Sequence, residues 1–251
     1  MRELSAEQLR NFRARGFLLL ERILPQELAD VLRLEALSVT YEGSTPWREF
    51  NQCLADISHE QRLALALIQP FADQLLPQDS RLRGVQFAYN GINNPDELYF
   101  HVDGAGSLAA GSRLTELPGY MLGCGIVLAD LSQEFRGNLI VKPGGHFHVQ
   151  DFFRSTDDAE FSRAAQPDTG DAGIRYWVDS EKGYIPGLIP GISITASPGD
   201  IYFFHGMLPH AIGPNTYADR PAIYLRFGMY SPTGLDALRN MWRGWYSEVP
   251  S

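Results

Sequence analysis

The feature that most constrains this chain is a change of texture at Arg83. From there to residue 230, glycine and proline punctuate short runs rich in Val, Ile, Phe and Tyr. That is the pattern of antiparallel strands joined by tight turns, as in a sandwich or barrel. Strands are predicted over 85–89, 98–102, 120–128, 139–142, 192–196, 201–205 and 222–230. Turn signals separate them, among them Asn93-Asn94-Pro95, Leu117-Pro118-Gly119, Pro143-Gly144-Gly145, Pro198-Gly199-Asp200 and Gly213-Pro214-Asn215. A β-rich architecture of 251 residues, 44% of them hydrophobic, is expected to close on one core as a single domain over 1–251.

Upstream of that core, residues 1–80 read as mainly helical. Ser5-Ala6-Glu7-Gln8 is a capping box, Leu9 and Phe12 follow on one face, and Gly16 is placed to end the helix. An apolar strand follows over 17–20. Pro25 then opens a second helix with Leu28, Val31 and Leu32 on a shared face. Ser58-His59-Glu60-Gln61 repeats the capping box, and Pro70 is expected to close that third helix. Residues 151–190 fit no strand and read as a lid or a helical insertion. Residues 235–246 place Leu238, Met241, Trp242 and Trp245 at helical spacing, as a packing helix would.

Charge and cysteine content narrow the function. A net charge of −9 disfavours a broad phosphate-binding surface, so nucleic acid is not the expected partner. Cys53 and Cys124 sit in no zinc or redox spacing and are expected to be buried thiols. No apolar run reaches the ~18 residues a membrane span needs, and the charged start is unlike a signal region. A soluble, cytoplasmic protein, monomeric or homodimeric, acting on a small molecule is the expectation.

The chemistry concentrates in Tyr99-Phe100-His101-Val102-Asp103-Gly104 and His205-Gly206-Met207-Leu208-Pro209-His210. Strand side chains alternate with period two, so His101 and Asp103 share a face. With one distant histidine, His205 or His210, they make two imidazoles and a carboxylate, the facial set associated with non-haem Fe(II) oxygenases. Tyr99 lies on the same face. Arg220 and Arg226 offer guanidinium forks for a carboxylate, and Gln86 and Asn90 share a strand face from which they can donate into the pocket. Gly123 and Gly125 weaken their strand unless something approaches closely, which is read as cosubstrate or substrate. His146-x-His148 is a second histidine pair, read as loop residues beside the insertion. Within that insertion Arg154, Arg175, Tyr176 and Trp177 are the candidate substrate contacts.

The segment from Pro198 to Asn215, with Asp219-Arg220-Pro221 and the strand after it, resembles the phytanoyl-CoA dioxygenase family of Fe(II)/2-oxoglutarate-dependent oxygenases. The N-terminal pattern of helix, Gly-Phe strand and helix over 4–32, and the turn Gly137-Asn-Leu-Ile-Val-Lys-Pro-Gly-Gly-His146, are also similar to that family. The resemblance implies a double-stranded β-helix (jelly-roll, cupin-like) core over 83–230. It implies His101, Asp103 and His210 as iron ligands, with His210 chosen over His205 because it precedes the Gly-Pro-Asn turn. It implies Arg220 as the 2-oxoglutarate arginine, with Arg226 on the same strand face as fallback; Tyr99 and Gln86 are read from their own strand faces as lining the cosubstrate. Ile212 stands where the family often has a small hydroxyl residue. The implied cofactor set is Fe(II), 2-oxoglutarate and O2. The implied reaction oxidises an unactivated carbon and releases succinate and carbon dioxide, and Asp103 favours hydroxylation over halogenation. Two rivals keep the fold: a cupin-like metal-dependent isomerase or hydrolase using His146 and His148, and a non-catalytic binding module.

Overall fold

The computed structural model describes residues 3–40, 47–76, 81–92, 94, 100–102, 122–155, 187 and 189–228. The predicted helix at 235–246, Tyr99, Asp103 and nearly all of 156–190, with Arg175, Tyr176 and Trp177, lie outside the described residues.

Helix α1 (Ala6–Arg15) starts at the predicted capping box: the Ser5 hydroxyl accepts from Gln8 N–H while the Gln8 side chain accepts from Ser5 N–H. It ends on Gly16 at φ 78°, a left-handed conformation that glycine adopts without penalty. β1 (Phe17–Leu20) and α2 (Gln26–Thr40) follow. On α2 the buried face is Ala29, Leu32 and Ala36, and Val31 is exposed, so the expected Leu28-Val31-Leu32 face is rotated by the packing of small residues against the sheet. β2 (Trp47–Gln52) was not foreseen, because its polar sequence hides an edge strand. Cys53 begins the surface turn after it and is exposed, contrary to expectation; Cys124 is buried, and burial holds its thiol far above the usual range.

α3 (His59–Leu75) opens on the second capping box and runs straight through Pro70, which was expected to end it. A proline inside a helix costs about 3 kcal/mol. Here the next turn buries Phe71, Ala72 and Leu75, and burying a Phe or Leu side chain contributes about 1.5–3 kcal/mol each, enough to carry the helix on. Gln74 adds bonds in both directions, to Pro70 O and from Leu4 N–H.

The remaining elements are β3 (Arg81–Asn90), β4 (Leu122–Val127), β5 (Leu139–Val141), α4 (Gly145–Ser155), β6 (Ile192–Ser193), β7 (Ile201–His205), β8 (His210–Ile212) and β9 (Arg220–Gly228). They form a six-stranded sheet in the order β1-β7-β4-β9-β3-β2 and a three-stranded sheet in the order β6-β5-β8, with every pairing antiparallel. His101 bridges His210 at the edge of the smaller sheet; of the predicted strand 98–102 only 100–102 are described. β8 is too short to have been read from periodicity.

Alternation along the central strands builds two cores. Val85, Phe87, Leu122, Cys124, Ile126, Phe203, Ile223, Leu225 and Phe227 face the helices. Ala88, Val127, Tyr202, Phe204, Ala222 and Tyr224 face the smaller sheet, meeting Leu139, Val141, Ile194 and Ala196. This is a mainly β double-stranded β-helix with flanking helices, as expected, and the candidate site lies between its two sheets.

Candidate active site

The site begins at the edge of the smaller sheet. His101 and His210 exchange both backbone bonds, each N–H donating to the other's carbonyl at 2.9 Å, which sends their side chains to the same side of the pair. Their ring centroids lie 4.4 Å apart, and the His210 ring lies 4.7 Å from the ring of Phe204 on the larger sheet. His210 Nδ1 is 2.8 Å from Leu208 O. A carbonyl only accepts, so Nδ1 carries the proton and Nε2 carries the lone pair, which is how a metal-ligating imidazole is oriented. Among the described residues no third acidic, histidine or cysteine side chain joins the pair; Asp103 lies outside them.

His205 goes elsewhere. It follows Phe204 on β7 and so turns to the opposite side, where Met207 N–H donates to its Nδ1 and its ring lies 5.0 Å from that of His146. His146 and His148 are not loop residues: both sit in the first turns of α4. His146 is buried against α1, its Nε2 3.1 Å from Arg13 O, and His148 is exposed. On a helix, residues two apart do not face each other, so these two cannot close on one metal as the cupin-like reading requires.

The buried His146–His205 pair has a measurable consequence. Burial first, and His148 second, pull His146 down to about 4; burial and His146 pull His205 well below its usual value. Between pH 6.5 and about 4 the unfolded chain binds protons that the folded chain refuses. The stability these neutral rings contribute is complete above 6.5 and is lost as pH falls through that window. At pH 5 His146 alone should account for a loss of about 2 kcal/mol relative to pH 7. Urea midpoints of the wild type at the two pH values should show at least that loss, and His146→Gln should remove its share while the part due to His205 remains.

The other half of the site stands on β9, where Arg220, Ala222, Tyr224 and Arg226 alternate onto the inner face. Arg220 is 2% exposed. Its Nη2 donates to the hydroxyls of Tyr202 at 3.3 Å and Tyr224 at 3.1 Å, while Nε and Nη1 are buried with no partner among the described residues. A buried guanidinium with unused donors is costly unless an anion completes it, and a carboxylate is the matching shape. Arg226, also buried, lies over the rings of Tyr224 at 4.9 Å and Phe204 at 5.5 Å and donates to Gln86 Oε1. Phe204 thus connects the histidine pair to the arginine strand.

Three other sequence expectations find different occupants. What approaches Gly123 and Gly125 closely is the aromatic pair of the neighbouring strand: a methyl on Gly123 would fall inside the Phe204 ring, and one on Gly125 inside the Tyr202 ring. Asn90 does not donate into the pocket. It donates to Gly213 O and accepts from Asn94, tying the 213–215 turn to β3. Gln86 holds Arg226 from one end of its amide and donates to Glu49 from the other. Tyr202, Phe204 and Tyr224 were missed, although Ile201-Tyr202-Phe203-Phe204 set against a strand carrying Gly123 and Gly125 was the signal for rings crossing glycines.

No family model matches the sequence, and no curated protein matches it. Solved structures do. HygX from Streptomyces hygroscopicus, solved with nickel and 2-oxoglutarate bound, aligns at 19% identity and TM-score 0.61 over 90% of this chain and 88% of its own. SnoK, a non-haem α-ketoglutarate-dependent carbocyclase from nogalamycin biosynthesis, aligns at 19% and 0.63 over 91% and 85%. SnoN, an epimerase from the same biosynthesis, aligns at 20% and 0.62 over 92% and 87%. The chain therefore has the double-stranded β-helix fold of non-haem iron, 2-oxoglutarate-dependent enzymes. That is the fold the resemblance to the phytanoyl-CoA dioxygenase family implies.

Proposed function

We propose that this chain is an Fe(II)- and 2-oxoglutarate-dependent dioxygenase. It hydroxylates, or alternatively desaturates or cyclises, an unactivated carbon of a small metabolite or natural-product intermediate. The observation that carries this reading is Arg220, a buried cation whose Nε and Nη1 have no partner among the described residues, on the same strand face as Arg226, which lies over Phe204, the ring beside His210. That pairing of two imidazoles with an uncompleted guanidinium suits a metal and a dicarboxylate together.

In this reading His101, His210 and Asp103 hold Fe(II), with the Leu208 carbonyl fixing the His210 tautomer. Arg220 holds the distal carboxylate of 2-oxoglutarate, and Tyr99 lines the cosubstrate beside the ligands. Bound iron with 2-oxoglutarate and O2 supplies the oxidising power, with succinate and carbon dioxide as coproducts. The protein's share is positioning and dryness: Phe204, Leu139, Val141 and Ala222 wall the space between the sheets with apolar surface, which keeps water from the reacting centre. Gln86 steadies Arg226 at the open side of that face. HygX has been solved with hygromycin B bound and SnoN with nogalamycin RO, which supports a natural-product substrate here. We place the enzyme in the cytoplasm, as monomer or homodimer. No helix among the described residues is long and apolar enough to cross a membrane.

Turnover without the natural substrate tests the reading. Aerobic Fe(II)-loaded protein is expected to convert 2-oxoglutarate slowly to succinate with O2 uptake, and Asp103→Ala to abolish it. Wild type that forms no succinate at all would favour the binding-module alternative.

A further inference from the structure

A buried carboxylate has about four lone-pair sites, more than one guanidinium edge fills, and Ile212 has no hydroxyl to lend. We propose that Tyr202 and Tyr224 supply the missing hydroxyls, forming with Arg220 one receptor for the distal carboxylate of the 2-oxo acid, seated by Gly125. The proposal rests on the 2-oxoglutarate reading above and assigns this chain's own selectivity to it.

Hydrogen accounting leads to this assignment. Arg220 Nη2 donates to both phenol oxygens, and the Tyr202 hydroxyl donates to that of Tyr224 at 3.2 Å. The Tyr224 oxygen therefore accepts twice, and its own proton goes to no acceptor among the described residues. Whichever phenol donates to the other, one O–H is left over. Together with Arg220 Nε and Nη1, which have no hydrogen-bond partner among the described residues, this makes a cluster of unspent donors. A carboxylate, with about four lone-pair sites, is the group that uses them. Burial, and next the adjoining Tyr224, hold the Tyr202 hydroxyl well above the usual tyrosine range, so it stays a donor.

Gly125 makes the arrangement possible. Tyr202 on β7 and Tyr224 on β9 are both register partners of Gly125 on the strand between them, so the two phenols must cross that strand to meet. A Cβ at 125 would lie 2.6 Å from the Tyr202 hydroxyl oxygen and closer still to its ring. Any side chain there displaces the ring and breaks the hydroxyl pair. Gly125 is thus a positioning residue, and the tyrosines are binding groups.

The test compares 2-oxoglutarate with 2-oxopentanoate, which has the same chain length and lacks the distal carboxylate. Both are titrated anaerobically by calorimetry into Fe(II)-loaded protein. Wild type should prefer 2-oxoglutarate by on the order of 100-fold, since losing a charged hydrogen-bond partner in a buried site costs that much. Tyr224→Phe should weaken 2-oxoglutarate about tenfold and leave 2-oxopentanoate within twofold; Tyr202→Phe should act in the same sense and more weakly. Gly125→Ala should collapse the preference with iron affinity retained. Variants that bind both ligands like wild type, or lose both equally, overturn the receptor while leaving the 2-oxoglutarate reading intact. Wild type that binds iron and no 2-oxoglutarate overturns both.

Discussion

Arg220→Met is expected to raise the dissociation constant for 2-oxoglutarate by about 10²- to 10³-fold and to leave Fe(II) affinity unchanged. Truncating one partner of a buried, hydrogen-bonded charge pair costs about 2–5 kcal/mol, and here the bereft partner would be the cosubstrate carboxylate. Methionine keeps much of the arginine's volume, so the effect is read on binding and not on a cavity. The same substitution should not destabilise the ligand-free protein. Arg220 contributes a buried charge with two donors unmet among the described residues, and replacing such a group by an apolar one of similar size is neutral or favourable. Affinity lost with stability kept is a combination that a merely structural arginine would not give. Anaerobic calorimetry and a thermal melt on one preparation read both. If Arg226→Met abolishes binding and Arg220→Met does not, the assignment along β9 is wrong.

The second large effect separates the two downstream histidines. His210→Ala should lose tight Fe(II) binding and lower succinate formation by on the order of 10³-fold, since even outer-shell partners of a metal ligand are worth 10–100-fold. His205→Ala should keep the metal and cost stability instead, about 1–3 kcal/mol, because its ring is buried beside His146 and its Nδ1 accepts from Met207 N–H. Metal titration and melting temperatures of the two variants should move in opposite ways. An iron-free His205→Ala protein would return the ligand role to His205.

Strand periodicity explains why the structure separates the two downstream histidines and why the residues alone left both open. Counting from Phe204 sends His205 outward, but β8 is three residues long and carries no periodic signal of its own, so the direction of His210 became visible only through its pairing with His101 and Val141. Capping boxes at Ser5 and Ser58 were legible because they are local chemistry, one side chain answering one backbone donor. Pro70 misled because its local cost is outweighed by burial of Phe71 and Leu75, a tertiary term that no local rule contains. The glycines of β4 were recognised as making room, but the guest was misjudged. Only the register of β7 and β9 reveals that aromatic rings fill the room. Tyr202 and Tyr224 read as ordinary strand aromatics until their hydroxyls are seen to meet over Arg220.

The central claim is that the histidine pair and Arg220 together hold a 2-oxo acid against iron. It is tested most directly by titrating 2-oxoglutarate into anaerobic Fe(II)-loaded protein and recording the visible spectrum. The account predicts a saturable charge-transfer band that is absent in Asp103→Ala and shifted to much higher 2-oxoglutarate concentration in Arg220→Met. Folded, iron-loaded wild-type protein that develops no such band would contradict it.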